Sequence, residues 1–321
     1  GVQTCALPIC LVWMCFSLSA QKIIDLSGKW SFSIDRQDNG EKEKWFSHTL
    51  NDCINLPGSM PEKLKGDEVT AKTQWTGSLY DSSYYYNPYM EKYRKEGNIK
   101  FPFFLTPDKH YVGAAWYQKE VNIPADWKGE RILLFLERPH IETTVWVNGQ
   151  KTGMQNSLCV PHQYDITRYV RPGKCTITIR VDNRIKEINV GPDSHSITDQ
   201  TQGNWNGIVG RICLQTTPKT YFDDIQIYPE PEQKLARVKV VIKGAGITKI
   251  KLSAESFNTD KKHIVPAIQQ EIKLNKGVTE TEMVLPMGND MLLWDEFHPA
   301  LYKLKAEVTN GKKTEIKEIQ F

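Results

Sequence analysis

Histidines and a glycine-rich stretch are the residues of this sequence that could take part in catalysis or cofactor binding. His162 and His195 lie close to carboxylates along the chain, a combination found in acid–base and nucleophilic catalysis. No serine in a G-x-S-x-G motif accompanies them. Gly203, Gly207 and Gly210 do not have the spacing of a dinucleotide-binding loop, and no βα unit surrounds them. These patterns favour structural roles for both residue types.

The cysteines give no metal-binding pattern. Three of the seven lie within the first fifteen residues, and the other four are Cys53, Cys159, Cys175 and Cys213. They form no C-x-x-C pair and the histidines are scattered, so the sequence predicts buried thiols rather than a zinc site, and no cofactor. Whether these four cysteines pair stays open at this point.

Length and charge exclude several classes of protein. The chain has 321 residues, which exceeds one typical hydrophobic core and predicts two domains. Its 41 basic and 38 acidic residues leave a net charge of +3, which argues against nucleic acid as the main partner because such proteins present a strongly basic face. No long apolar run follows the first twenty residues, so the body of the protein is not expected to span a membrane.

The first twenty residues differ from the rest of the chain. Residues 1–10 contain no initiator methionine and no basic segment, whereas residues 11–20 resemble the apolar end of a secretory signal followed by small residues. We interpret residues 1–20 as the remnant of a signal peptide joined to a non-native leader, with a short buried N-terminal segment as the alternative. The pattern predicts export, to the periplasm or cell surface of a bacterium or beyond it.

Alternating apolar and polar residues recur from residue 28 onwards and predict strands. The first series is Trp30–Ile34, Trp116–Ile123, Arg131–Leu136, Thr143–Val147, Cys175–Val181 and Gly210–Gln215. Asn148-Gly149 is the sequence of a two-residue hairpin turn. Trp116, Tyr117 and Trp146 are predicted to fill the core between two sheets. The absence of a long amphipathic pattern favours an all-β sandwich or jelly roll, with short helical turns near 87–95 and 165–169.

A second series of strands follows a predicted domain boundary at Pro218. Its members are Asp224–Tyr228, Arg237–Ile242, Lys249–Ser256, Gln269–Leu274, Glu280–Leu285, Leu301–Val308 and Lys313–Phe321. Seven strands in about a hundred residues match an immunoglobulin-like sandwich. The sequence therefore predicts a first domain over 21–218 and a second over 219–321.

Residues 66–110 form an aromatic insertion between two predicted strands of the first domain. Nine tyrosines and phenylalanines lie among polar residues there, at positions 80, 84, 85, 86, 89, 93, 101, 103 and 104. Long insertions often build binding surfaces, and sugars stack on aromatic rings. The alternative is that the rings only pin the insertion onto the sandwich.

Several short segments of the sequence, taken together and in order, resemble the N-terminal half of glycoside hydrolase family 2, which includes β-galactosidases, β-glucuronidases and β-mannosidases. They are Leu26–Trp30 with Asn55–Ser59, Ala115–Val121, Val145–Gly149, Tyr164–Thr167 with Arg180–Asn183, Asn204–Ile212, and Leu293-Trp294 with Pro299–Tyr302. The lysine and cysteine after Gly173 depart from the family's usual turn.

The resemblance implies a galactose-binding-like jelly roll followed by an immunoglobulin-like domain, in a retaining, exo-acting enzyme whose substrate is a β-linked glycoside. It places both catalytic carboxylates in a (β/α)₈ barrel after the second domain, where this chain stops. We therefore expect a chain truncated before its catalytic domain, with no catalytic residue of its own. Oligomeric state, sugar and linkage are not predicted.

The resemblance implies sugar contact in and around the loop that precedes the segment Asn204–Ile212. Asp193, Asp199, Asn204 and Trp205 are the candidates, since short carboxylates and amides form paired hydrogen bonds with neighbouring hydroxyls. The alternative is an Asx-rich loop that satisfies its own backbone.

Two functions are therefore weighed. In the first, the chain is the non-catalytic N-terminal portion of an exported family 2 glycoside hydrolase of β-galactosidase type. In the second, it is a complete exported carbohydrate-binding or adhesion protein built from two sandwiches.

Overall fold

A computed structural model describes residues 22–78, 81–102, 104–186, 193–195 and 197–321 of the chain. The predicted signal remnant at 1–20 lies outside these residues. The described part divides into two compact units, Lys22–Thr217 and Pro218–Phe321. Within it, no helix has the length and apolar character needed to cross a membrane.

The first unit is built from strands joined by loops and short helical turns. Its strands are β1 (Ile23–Asp25), β2 (Gly28–Asp35), β3 (Asp52–Leu56), β4 (Gly58–Ser59), β5 (Asp67–Glu68), β6 (Lys109–His110), β7 (Ala114–Ile123), β8 (Arg131–His140), β9 (Glu142–Val147), β10 (Gln150–Asn156), β11 (His162–Asp165), β12 (Gly173–Asp182) and β13 (Gly207–Thr217). A single α-helical turn, α1 (Ser83–Tyr86), and the 3₁₀ turns Trp45–Ser47, Pro88–Tyr93, Ala125–Trp127 and Thr167–Tyr169 complete it.

Two antiparallel sheets enclose the core of this unit. One has the order β10-β9-β12-β7-β2-β3, and the other has the order β1-β13-β8-β11 with β4 added to β13. Alternate residues of both sheets, among them Trp30, Tyr117, Leu134 and Ile179, are buried in one apolar cluster. Two sheets that share one core make a β-sandwich, so the predicted jelly roll is confirmed.

Two of the three aromatic residues predicted for this core lie elsewhere. Tyr117 is in the core between the sheets, but Trp116 and Trp146 pack with Leu50 in a separate cluster. Neighbouring residues of a strand point to opposite faces of the sheet, so Trp116 cannot share a face with Tyr117. The indole Nε1–H of Trp116 donates to the buried carboxylate of Asp35 over 2.9 Å.

The β9–β10 hairpin turns at Asn148-Gly149, as the sequence predicts. Val147 pairs with Gln150, and the two residues between them have φ values of 50° and 77°. A type I′ turn requires positive φ at both positions, which asparagine and glycine tolerate best.

We expect Gly149→Ala to lower the free energy of unfolding by about 1–2 kcal/mol, because alanine pays a steric cost in the left-handed region. A β-carbon at this position would meet no atom within 4 Å, so the cost is that of the backbone alone. Gly153→Ala on the same hairpin is the control, since its β-carbon would make an ordinary contact of 3.6 Å with Tyr164. Urea denaturation measures both variants, and equal stability of the two would contradict the expectation.

The second unit contains fewer and longer strands than the seven predicted. They are β14 (Tyr221–Glu230), β15 (Leu235–Phe257), β16 (Ile264–Pro286), β17 (Leu301–Asn310) and β18 (Lys313–Gln320), with a 3₁₀ turn at Pro231–Gln233. Each of the two 23-residue strands joins two segments that the pattern separates.

The long strands bend at glycines rather than ending there. β15 pairs with β14 before Gly244 and with β17 from Lys249 onwards. β16 pairs with both halves of β15, and the register of that ladder shifts between Gly244 and Gly246. Residues from both halves of β15, such as Val240 and Leu252, are buried in one core. The sheet therefore folds over on itself, and the predicted immunoglobulin-like sandwich is confirmed.

The four cysteines are unpaired thiols. Cys53 and Cys159 are exposed, whereas Cys175 and Cys213 are buried. Burial raises the pKa of Cys175 to about 11, so this thiol stays protonated at neutral pH.

A network of six charged side chains lies at the end of β12. The carboxylate of Asp182 is fully buried and forms ion pairs with three cations. Its Oδ2 lies 3.1, 2.6 and 2.8 Å from side-chain nitrogens of Arg180, Arg184 and Lys186. Asp38 pairs with both arginines, and Glu142 with Arg180 and Lys186. Burial alone raises the pKa of Asp182, but hydrogen bonds from Arg184 and Lys186 outweigh it and hold the pKa well below its usual range.

Candidate functional site

The aromatic insertion has an apolar interior of its own. The pairing of β5 with β6 closes its base. Phe101 stacks on Tyr84 with ring centres 4.5 Å apart, and Phe104 stacks on Trp75 at 5.0 Å. Tyr84 and Phe101 are almost fully buried, whereas Tyr89 is 83% exposed. Aromatic rings therefore hold the insertion together, which favours the pinning alternative for the buried ones.

Asp199 connects this insertion to the loop that precedes β13. Its carboxylate accepts the N–H of Thr76 and the N–H of Asn204, both at 2.6 Å, and lies 3.3 Å from Nε2 of His110. Its backbone adds bonds to Thr76 and Leu105. The residue is 1% exposed, so its oxygen atoms face protein donors rather than solvent.

Asp193 makes a second connection near the surface. Its carboxylate accepts the N–H of Ser78 at 2.7 Å and the hydroxyl of the same serine. Asp193 is exposed, unlike Asp199. Both aspartates predicted to contact sugar thus bind the insertion in this structure, and both do so through backbone N–H groups.

Asn204 and Trp205 lie against a histidine at the end of β8. The side-chain amide of Asn204 donates to Thr76 Oγ1 and to the carbonyl of Asn183, each at 3.0 Å. The indole ring of Trp205 stacks on the imidazole of His140, with centres 4.6 Å apart and planes 19° apart. β8 and β13 bring them together, because Gly207 is the partner of His140 on that ladder.

Two polar atoms beside this stack form no hydrogen bond of ordinary length and angle with a described residue. They are Nε2 of His140 and Oδ1 of Asn204, and both side chains are more than nine-tenths buried. Burial lowers the pKa of His140 to about 4, against the opposing influence of Asn204 and Asp199, so its ring is neutral at pH 7. A neutral imidazole nitrogen and an amide oxygen suit a hydroxyl group, which both donates and accepts.

His140 is a candidate that the sequence did not indicate. Its chain neighbours Glu137 and Glu142 form no recognisable catalytic motif with it, and it meets Trp205 only because β8 pairs with β13. His162, which the sequence did single out, contacts Thr143 and the carbonyl of Ser157 and is fully buried. Its contacts are those of a structural residue.

The buried carboxylates of the described residues are all engaged by protein donors. Besides Asp182 and Asp199 they are Asp35, which binds Trp116 and Gly40, and Glu142, which binds Arg180 and Lys186. In the same part of the chain, no three histidine, cysteine or acidic side chains are arranged to hold a metal ion. Besides the two polar atoms beside the Trp205–His140 stack, the buried atoms of the described residues without a hydrogen-bond partner are Nε1 of Trp75 and Oε2 of Glu230.

Both units match known protein-family models. Residues 23–218 match the model of the glycosyl hydrolases family 2 sugar binding domain, and residues 220–321 match a second model of glycosyl hydrolases family 2. The chain belongs to glycoside hydrolase family 2.

Relatives of this family 2 chain include a human beta-glucuronidase, 24% identical over 89% of this chain, and a Paenibacillus borealis beta-glucuronidase, 24% identical over 91%. A Thermoanaerobacter pseudethanolicus beta-galactosidase is 24% identical over 66% of the chain. The chain spans 41%, 43% and 28% of these three proteins.

The fold is shared with a solved family 2 structure. A Ruminococcus gnavus beta-glucuronidase in complex with D-glucuronic acid matches 94% of this chain with a TM-score of 0.58 and 17% sequence identity, over 45% of its own length. At this identity the likeness concerns the fold.

Proposed function

We propose that this chain is the non-catalytic, sugar-recognising portion of an exported, retaining, exo-acting β-glycosidase of family 2. The match of residues 23–218 to the family's sugar binding domain is the observation that carries the proposal. The apolar run at 11–20 supports export. A β-linked glucuronide or galactoside is the substrate class, in line with the names of the relatives.

The chain's own residues take two kinds of role in this proposal. Trp205 presents a half-buried ring, and the Nε2 of His140 with the Oδ1 of Asn204 offers a place for a sugar hydroxyl. Asp199 and Asp193 are positioning residues, since they bind Thr76 and Ser78 of the insertion. Sugar contact by the four predicted residues stays a prediction.

The buried carboxylates support a non-catalytic role. Retaining hydrolysis needs an acid and a nucleophile about 5 Å apart beside the scissile bond. The buried acidic side chains of the described residues are bound by arginine, lysine, indole, imidazole or backbone donors, as set out above. The catalytic pair of the proposed enzyme would therefore come from a following domain.

We expect the chain to hydrolyse neither p-nitrophenyl β-D-glucuronide nor p-nitrophenyl β-D-galactoside above the rate in buffer. A chromogenic assay at micromolar protein measures this. Hydrolysis that disappears in Asp193→Asn or Asp199→Asn would overturn the proposal. Reading the coding sequence beyond the codon of Phe321 provides the second test. An in-frame (β/α)₈ barrel with two suitably spaced glutamates supports the proposal, and a stop codon supports the binding or adhesion protein instead.

A further inference from the structure

A cleft of about 800 Å³ opens in the second half of the insertion. It is lined by Tyr93, Ile99, Lys100, Phe101, Pro102, Phe104, Leu105, Thr106, Pro107 and Asp108. None of these residues belongs to the Trp205–His140 stack. Binding clefts of this size, with mostly apolar walls and a few polar groups, are typical of small-molecule sites.

The aromatic wall of the cleft is held rigidly. Phe104 is half-buried and stacks on Trp75 with planes 18° apart, whereas Phe101 is 3% exposed and supports Phe104 edge-on, with ring centres 6.0 Å apart. The hydroxyl of Thr106 accepts the N–H of Phe101 at 3.2 Å. A ligand that stacks on this wall would not have to order it first, which reduces the entropy lost on binding.

The rim of the cleft carries one cation and one anion. Lys100 and Asp108 are exposed, and neither side chain forms an ion pair or hydrogen bond with another described residue. The ammonium group supplies donors and the carboxylate supplies acceptors, while their charges cancel. Such a rim suits a neutral ligand with many hydroxyl groups better than an ion.

We propose that this cleft binds a sugar ring of a neutral polysaccharide, at a site separate from the Trp205–His140 stack. A pyranose has an apolar face of C–H groups that packs on aromatic rings and an equatorial edge of hydroxyls, which together match the wall and the rim. Leu105, on the margin of the cleft, donates its N–H to the carbonyl of Asp199 at 3.1 Å. The cleft therefore adjoins the loop for which glycone contact is proposed, which favours a carbohydrate as the occupant.

Native gel electrophoresis of the full chain tests the proposal, in gels that contain the neutral polymers arabinogalactan, xyloglucan or glucomannan, or the anionic polymer polygalacturonate. We expect at least one of these neutral polymers to retard the chain. Phe104→Leu, which keeps apolar bulk but removes the ring, should weaken the affinity about fivefold. The double variant Lys100→Ala/Asp108→Ala should weaken it about tenfold. The double variant changes only two exposed side chains and should fold normally. Its affinity for the polymer therefore tests the proposal if Phe104→Leu fails to fold.

Tyr89→Ala is the matched control, because Tyr89 is an exposed aromatic residue of the same insertion that does not line the cleft. It should be retarded like the unchanged chain. The proposal is overturned if no neutral polymer retards the chain, if only polygalacturonate does, or if the cleft variants bind as well as Tyr89→Ala. Because binding is measured without hydrolysis, these outcomes are independent of the assay that tests the proposed function.

Discussion

Asp199→Ala is expected to release the aromatic insertion from the first unit. The substitution leaves the N–H groups of Thr76 and Asn204 without their acceptor and removes the partner of His110. Because buried donors without acceptors are costly, we expect a loss of about 3 kcal/mol in the free energy that holds the insertion in place. Limited chymotrypsin digestion should then cut within 66–110 much faster than in the unchanged chain.

Asp193→Ala is the control on the same loop. Its carboxylate also binds the insertion, but the residue is exposed, so water can replace its bonds to Ser78. We expect Asp193→Ala to change the cutting rate little. Equal protease resistance of Asp199→Ala and the unchanged chain would show that the aromatic stack alone holds the insertion.

Local sequence patterns predicted the features that depend on neighbouring residues. The turn at Asn148-Gly149 follows from the φ values that two residues tolerate, and the strands of the sandwich follow from alternation. Alternation also shows why Trp116 and Tyr117 cannot both face the same core. That error came from counting both aromatics as core residues without applying the period of two.

Other features depend on partners far along the chain. A break in the pattern near Gly244 looks like the end of a strand, yet the ladder with β16 continues across it. Asp199 and Thr76 are 123 residues apart in the chain, and no local sequence pattern near either residue predicts their contact. Carboxylates in a polar loop suit both sugar hydroxyls and backbone N–H groups, so the choice between the two roles needs the fold.

Asp182→Asn is expected to lower the free energy of unfolding of the first unit by about 3–5 kcal/mol at pH 7, since it removes one partner from a buried ionic network. Three cations, on Arg180, Arg184 and Lys186, would then face only the carboxylates of Asp38 and Glu142. Urea denaturation followed by tryptophan fluorescence measures the loss. Asp52→Asn is the control, because Asp52 pairs with Lys65 while half exposed, and such pairs contribute at most about 1 kcal/mol.

The pH dependence of the difference between Asp182→Asn and the unchanged chain separates an ionic contribution from a packing one. The pKa of Asp182 is depressed in the folded state, so its ionised form adds stability above the ordinary pKa of 3.8, and this stability is lost as the pH falls towards the folded value. The destabilisation by Asp182→Asn should therefore be constant from pH 7 to about pH 5 and shrink below about pH 4. A destabilisation that stays unchanged down to pH 3 would mean that the amide is tolerated poorly for its shape, and that charge at Asp182 adds little to the fold.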